Sequence, residues 1–207
     1  MDADSYLQKL QEAGVPRGLT PLRSKGPEIM DTVWPGESRD KYLINSFLEK
    51  YDKLMRKGVG LVFLGSVPGC GKTTIASWVF CKLMAHHNVT GAWITEHKLK
   101  DAILSSESWD EDEKFRDRLL DVRVLLLDAI KAPRDNRFTS LTWEFLSDRE
   151  QRKHITLVTL NCRETDLKGH EDAEVLKALG VPVLMGNTDF RGKRRKEMFR
   201  WIEEDGP

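Results

Sequence analysis

The chain has 207 residues, 40% hydrophobic and 32% charged, which suits one α/β domain with a full core, or one domain with a short arm. Lys+Arg and Asp+Glu both number 33, so no overall charge draws it to nucleic acid, and any basic surface must be local. Cys70, Cys81 and Cys162 are scattered and lack metal spacing, which fits a reduced cytoplasmic protein, and neither a signal peptide nor a membrane-length apolar run appears.

Residues 1–37 read as an arm lying on the domain, or as a partner-docking element. They hold a short helix from Tyr6 to Glu12, then a segment broken by Pro16, Pro21, Pro27 and Pro35. Residues 38–207 form the main domain. It opens at Ser38, a good N-cap, with Tyr42, Leu43, Phe47, Leu48, Tyr51, Leu54 and Met55 following a helical face that ends at Gly58. A first strand is expected over Val59–Leu64.

That strand runs into Gly65-Ser66-Val67-Pro68-Gly69-Cys70-Gly71-Lys72-Thr73-Thr74, and an apolar, helix-length stretch to Met84 follows. Strand, glycine loop and helix are the context that a P-loop requires. The glycines let successive backbone N–H groups turn inward around phosphate oxygens, and the helix N-terminus adds its positive dipole end. Residues Pro68 to Thr74 are therefore the expected nucleotide cradle. Lys72 is placed to reach the β- and γ-phosphates, and the Thr73 hydroxyl to ligate Mg²⁺. The strict spacing puts Ser66 at the first position, with the glycine one residue earlier at Gly65.

His86, His87 and Asn88 are expected to form a solvated turn, since two adjacent histidines lack ligand spacing. A second strand over Val89–Thr95 and a helix from His97 to Leu104 come next. The acidic stretch Glu107–Glu113 reads as a solvated loop opening a helix to Leu120. Val122–Leu127 is nearly all apolar, the pattern of a strand buried on both faces of a parallel sheet, and Asp128 closes it. An acid there, downstream of a P-loop, reads as the Walker B group that holds Mg²⁺.

The helix Thr139–Asp148 carries Leu141, Phe145 and Leu146 on one side and Trp143 at its edge. Arg149, Arg152 and Lys153 lead from it to the strand Ile155–Leu160, which ends in Asn161, a polar amide suited to orienting water or touching the γ-phosphate. A helix over residues 171–180 and a fifth strand, Val181–Met185, complete the series. The last segment carries Arg191, Lys193, Arg194, Arg195, Lys196 and Arg200, with Phe199 and Trp201 interleaved. Arg194, Arg195 and Lys196 are the candidate DNA-binding group, with the aromatics as stacking faces. The plainer reading of that segment is a basic, solvated helix.

In order and spacing these parts resemble the AAA+ ATPases of the DnaC/IstB type, the helicase loaders and transposition helpers. The resemblance runs from Ala13-Gly14-Val15-Pro16, through the P-loop, Trp93-Ile94-Thr95, Leu125-Leu126-Leu127-Asp128, Asp148-Arg149 and Thr159-Leu160-Asn161, to Asp189-Phe190-Arg191. It implies a three-layer α/β sandwich around a five-stranded parallel sheet, with little or no helical lid. It also implies ATP and Mg²⁺ as ligands, and a replicative helicase, single-stranded DNA and an ATP-dependent homo-oligomer as partners. Lys72, Asp128 and Asn161 take the catalytic positions by motif match, and Asn161 becomes sensor one.

Three departures qualify this. The second Walker B acid is replaced by Ala129, and losing a positioned base commonly costs about 10²–10⁴-fold in rate, so slow hydrolysis is expected. Glu96, at the end of the second strand, is a nearby acid for partial substitution. The arginine finger position holds Lys177, a point charge without the planar fork. Arg149, Arg152 and Arg191 are the other candidate trans-acting or sensor cations. The arm is also short for a dedicated helicase-binding domain. The alternatives are a transposition-helper ATPase, a small-molecule P-loop kinase, and a nucleotide-binding adaptor without useful catalysis.

Overall fold

A computed structural model describes residues 3–19, 25–35, 38–104, 109–131, 137–167, 172–186 and 188–190. Five strands, β1 (Gly60–Leu64), β2 (Gly91–Thr95), β3 (Val124–Lys131), β4 (Ile155–Asn161) and β5 (Gly180–Leu184), form one sheet in the order β2-β3-β4-β1-β5. Every pairing is parallel. Parallel strands need crossovers, and the helices that supply them cover both faces. The helices are α1 (Ala3–Glu12), α2 (Arg39–Glu49), α3 (Tyr51–Met55), α4 (Lys72–His87), α5 (Glu96–Leu104), α6 (Trp109–Asp121), α7 (Arg137–Gln151) and α8 (Asp172–Leu179).

The two-residue period of the strands divides the apolar residues between two cores. Leu61, Phe63, Val124, Leu126, Ile155 and Leu157 face the layer that contains α4 and the N-terminal segment. Val62, Leu64, Leu125, Leu127, Val158 and Leu160 face Leu99, Leu119, Phe145, Leu146, Leu176 and Leu179. Helix α4 lies inside the first layer and is apolar all round, which explains why it shows no one-sided pattern. The expected α/β three-layer architecture with a five-stranded parallel sheet is what forms, and the expectation about a lid falls on a segment outside the described residues.

The described parts of the N-terminal arm belong to the first core. Tyr6, Leu10, Ala13, Val15, Ile29, Met30 and Val33 are buried in it, and the Tyr6 hydroxyl donates to the Cys81 carbonyl on α4. The arm also covers the β2 edge. The Trp93 N–H donates to the Ala13 carbonyl at 2.6 Å, and a Cβ on Gly14 would lie 2.7 Å from the Trp93 carbonyl oxygen. With φ at +81°, only glycine makes that approach without strain. At the opposite edge Pro182 offers no N–H. Leu184 donates to Asp40 Oδ1 at 3.0 Å and accepts from the Trp34 indole at 3.2 Å. Both edges are thus blunted against further strand pairing.

Several boundaries differ from expectation. Ser38 does cap α2, accepting from the Asp40 N–H, but the expected single helix to Gly58 breaks at Lys50. His86 and His87 are not a turn: α4 continues through both, and Asn88 in the left-handed region ends it. There His87 stacks on Tyr51, with ring centroids 4.0 Å apart, and faces Asp52. Trp143 is buried instead of edge-lying. The strand expected to close at Asp128 continues to Lys131 through an irregularity described below.

Candidate functional site

All five strands point their C-terminal ends the same way, and an open parallel sheet places its binding crevice there. β1 delivers the chain into the glycine loop at this end. Gly69 and Gly71 adopt φ of +83° and +94°, the backbone that turns consecutive N–H groups to one side. The arm and the far end of the chain both frame the loop. A Cβ on Gly71 would meet Val33 at 2.8 Å, and the Phe190 N–H donates to the Gly69 carbonyl at 3.2 Å. Asp189-Phe190 therefore sits on the P-loop, while Arg191 lies outside the described residues.

Lys72 is 6% exposed, and its ammonium is folded into the loop. It donates to the Gly65 carbonyl at 2.7 Å, the Val67 carbonyl at 3.3 Å and Cys70 Sγ at 3.3 Å. These acceptors hold the charge at the mouth of the loop. Next on α4, the Thr73 hydroxyl donates to both oxygens of Asp128, at 2.9 and 3.2 Å, across 55 residues of sequence. The two residues selected from separate motifs are in contact.

Asp128 lies in a bulge. Leu127 pairs with Val158 and Ile130 with Leu160, so Asp128 and Ala129 together oppose the single residue Thr159. Ala129 takes up the extra residue with φ at +62°. Thr159 holds both halves of the bulge: its hydroxyl donates to Asp128 Oδ1 at 2.5 Å and accepts the Ala129 N–H at 2.8 Å. Asp128 is 5% exposed, and the hydroxyls of Thr73 and Thr159 compensate its burial. Thr159 is a site residue not singled out in the sequence. The signal was a polar side chain between the apolar Val158 and Leu160 of the strand. Asn161 ends the same strand, in register with Lys131 and exposed between β1 and β3.

The basic candidates separate. Arg149 is not at a surface and is withdrawn as a trans-acting residue: it is fully buried. Its guanidinium donates to the carbonyls of Leu119, Leu120, Val122 and Ile155 and to the Thr156 hydroxyl, at 2.7 to 3.1 Å. Burial lowers its pKa to about 9, which still leaves it protonated at neutral pH. Arg152 reaches Asp121, and Lys177 pairs with its helix neighbour Glu174 at 2.5 Å in an exposed position. Arg194, Arg195 and Lys196 lie outside the described residues.

The donor set fits the expected ligands. A threonine hydroxyl beside a carboxylate is the hard-oxygen pair with which Mg²⁺ is held when phosphates and waters supply its other positions. A lysine resting on loop carbonyls is a cation ready to exchange them for phosphate oxygens. Thr73 and Asp128 would hold the metal, which neutralises phosphate charge when bound. Pro68 to Thr74 would hold the phosphates.

No family model and no curated protein sequence matches the chain. Solved structures do. A DnaC helicase loader aligns with TM-score 0.63 at 19% identity, covering 76% of this chain and 96% of its own. DnaI aligns with TM-score 0.62 at 20% identity, over 84% and 93%. The replication initiator DnaA bound to AMPPCP and single-stranded DNA aligns with TM-score 0.57 at 17% identity, over 83% of this chain and 53% of that one. The chain therefore shares its fold, a five-stranded parallel sheet between helices with a glycine loop after the first strand, with the DnaC and DnaI structures.

Proposed function

We propose that the chain is an ATP-binding accessory ATPase of DNA replication, a helicase loader that acts with single-stranded DNA. The observation that carries this reading is the contact between Thr73 and Asp128 beside Lys72. It brings the two parts of a Mg²⁺–nucleotide site together. ATP with Mg²⁺ would be held by the loop, with Thr73 and Asp128 as metal ligands and Lys72 and Asn161 as the groups offered to the terminal phosphate. The likeness to DnaC and DnaI supports a replicative helicase as partner, and the DnaA structure with AMPPCP and single-stranded DNA supports both of those ligands. Among the described residues no helix is long and apolar enough to cross a membrane, and a cytoplasmic setting is part of the proposal.

Oligomerisation follows ATP in this reading, because a basic group from a neighbouring copy completes AAA+ sites. Lys177 and Arg152 remain as candidates for that group, and Arg191 joins them as a sensor. Single-stranded DNA is held by Arg194, Arg195 and Lys196. Fluorescence anisotropy of a labelled oligonucleotide with a non-hydrolysable ATP analogue tests this. Neutralising those three together should weaken DNA binding and flatten the slope of log K against log salt by roughly 0.7 for each DNA phosphate no longer neutralised. Co-sedimentation with the replicative helicase of the same genome should require ATP. ATP binding with neither DNA nor helicase binding would reduce the reading to a bare nucleotide-binding protein.

A further inference from the structure

Among the described residues four large hydrophobic side chains are exposed, and three of them, Tyr42 (72%), Val181 (37%) and Leu184 (43%), lie along the β5 edge of the sheet. Tyr42 and Val181 line a groove of about 320 Å³ between α2, α3 and β5, together with Leu43, Phe47 and Leu54. Leu184 sits on the other face of the strand, with its N–H held by Asp40 two residues before Tyr42. Single hydrophobic residues scattered over a surface need no explanation, whereas several gathered on one edge mark a docking surface. Pro182 and Asp40 close this edge to strand pairing, so whatever covers it is held by side chains.

Charge decides what fits. Arg39 and Lys50 are exposed at the groove, no carboxylate lines it, and neither cation has an ion pair among the described residues. A second copy presenting the same face would set these cations against their own counterparts, so the groove suits an apolar segment that carries acids. The chain contains one. Residues 201–205 read Trp-Ile-Glu-Glu-Asp, directly after the basic run that ends at Arg200. The last described residue brings the chain to the right side of the molecule: the Phe190 N–H is bonded to Gly69 in the loop after β1, and β5 is the strand next to β1. From there the groove is one strand spacing across and three residues back along β5, about 5 Å and 10 Å. The chain from Phe190 to Trp201 spans more than that even at about 1.5 Å per residue.

We propose that Trp201 to Asp205 dock on the β5 edge of their own chain. Trp201 and Ile202 fill the groove beside Tyr42 and Val181, and Glu203, Glu204 and Asp205 lie against Arg39 and Lys50. The basic run from Arg191 to Arg200, which the same two cations would repel, is thereby held at both ends, at the glycine loop through Phe190 and at β5 through Trp201. The inference goes beyond the nucleotide and DNA reading above and does not depend on it.

The experiment uses the full chain with the photoreactive aromatic p-benzoylphenylalanine in place of Trp201, irradiated in dilute solution and digested for mass spectrometry. The expected product is a crosslink within one chain, to the peptide around Tyr42 or the peptide around Val181. Arg39→Glu combined with Lys50→Glu should lower its yield by about 10-fold, the order expected when rim ion pairs become repulsions. Adding Glu203→Lys, Glu204→Lys and Asp205→Lys to that variant should restore the yield, a rescue that damage to the fold would not show. Because Arg39, Tyr42 and Lys50 are exposed, the melting temperature should stay near wild type in the charge variants and in Tyr42→Ser, which should also crosslink poorly. Crosslinks to another part of the chain, or no crosslink at all, would overturn the proposal. So would crosslinks that join two chains, which would make a second copy the occupant, and a yield unmoved by the charge reversal.

Discussion

Replacing Arg149 with methionine should cost about 3–5 kcal/mol of folding stability, since each buried acceptor left without its donor costs about 1–3 kcal/mol and relief from burying the guanidinium returns part of the sum. Methionine has comparable length and no donor. It would leave the carbonyls of Leu119, Leu120, Val122 and Ile155 and the Thr156 hydroxyl without the group that now binds them. The first two carbonyls belong to the last turn of α6, where the helix itself provides no donors. Hydrogen bonds from a charged donor are worth about 1.5–3 kcal/mol each, so the gross loss exceeds the net figure. Relief from desolvating the guanidinium offsets several kcal/mol of it. Against a total stability of about 5–15 kcal/mol the remainder is large, and in a chain of this size it lowers Tm by roughly 6–20 °C. Urea unfolding followed by circular dichroism gives the value by linear extrapolation. Lysine at position 149 should not rescue, because one ammonium lacks the planar fork that reaches acceptors on α6 and β4 together. A methionine variant within about 1 kcal/mol of wild type would refute the clamp and return Arg149 to the candidates for a functional cation.

Thr159→Val removes a donor to Asp128 and an acceptor for the Ala129 N–H, so stability should fall by about 1–3 kcal/mol and Mg²⁺-dependent nucleotide affinity should weaken. Thr159→Ser should retain both, and equilibrium unfolding with nucleotide titration checks the pair. Burial holds the imidazoles of His87 and His154 below their ordinary pKa. Acidification through pH 6.5 and below therefore protonates the unfolded chain first and lowers stability, and the double glutamine variant should show a flatter pH–stability curve over that window. Cys70, Cys81 and Cys162 are all buried, and burial pushes the Cys162 thiol up to about 11. A thiol reagent at pH 8 should find almost no reactive cysteine in the native protein and three after denaturation.

The strands, their parallel pairing and the glycine loop were legible because each is written locally. An apolar run ending in Gly-x-Gly-Lys-Thr states its own structure, and so does Val-Leu-Leu-Leu-Asp. What escaped were relations across the sheet. Thr156 and Thr159 are polar residues inside β4, but nothing in the strand says that one serves Arg149 and the other Asp128. Arg149 reads as a solvated or trans-acting cation because its acceptors are backbone carbonyls, which carry no residue signature. The bulge at Ala129 was hidden for the same reason: it depends on the register with β4, not on the composition of β3. Ala13-Gly14 was visible as a motif, yet its work at the β2 edge appears only once Trp93 lies against it. The arm looked separable on account of its prolines, and its buried Tyr6, Leu10, Ile29 and Met30 show that its described parts complete the core over α4.

The most direct measurement is calorimetric titration of ATP with Mg²⁺ into wild type and Lys72→Ala, with thermal melting of both as the control. Lys72 donates to Gly65, Val67 and Cys70 within its own loop, so the substitution removes those hydrogen bonds, and of their acceptors only Cys70 belongs to a core. The expected result is saturable binding to wild type, binding to Lys72→Ala weaker by about 100-fold or more, and cooperative melting in both. Equal affinity in the two proteins, or no binding by a folded wild type, would contradict a nucleotide site built on Lys72, Thr73 and Asp128.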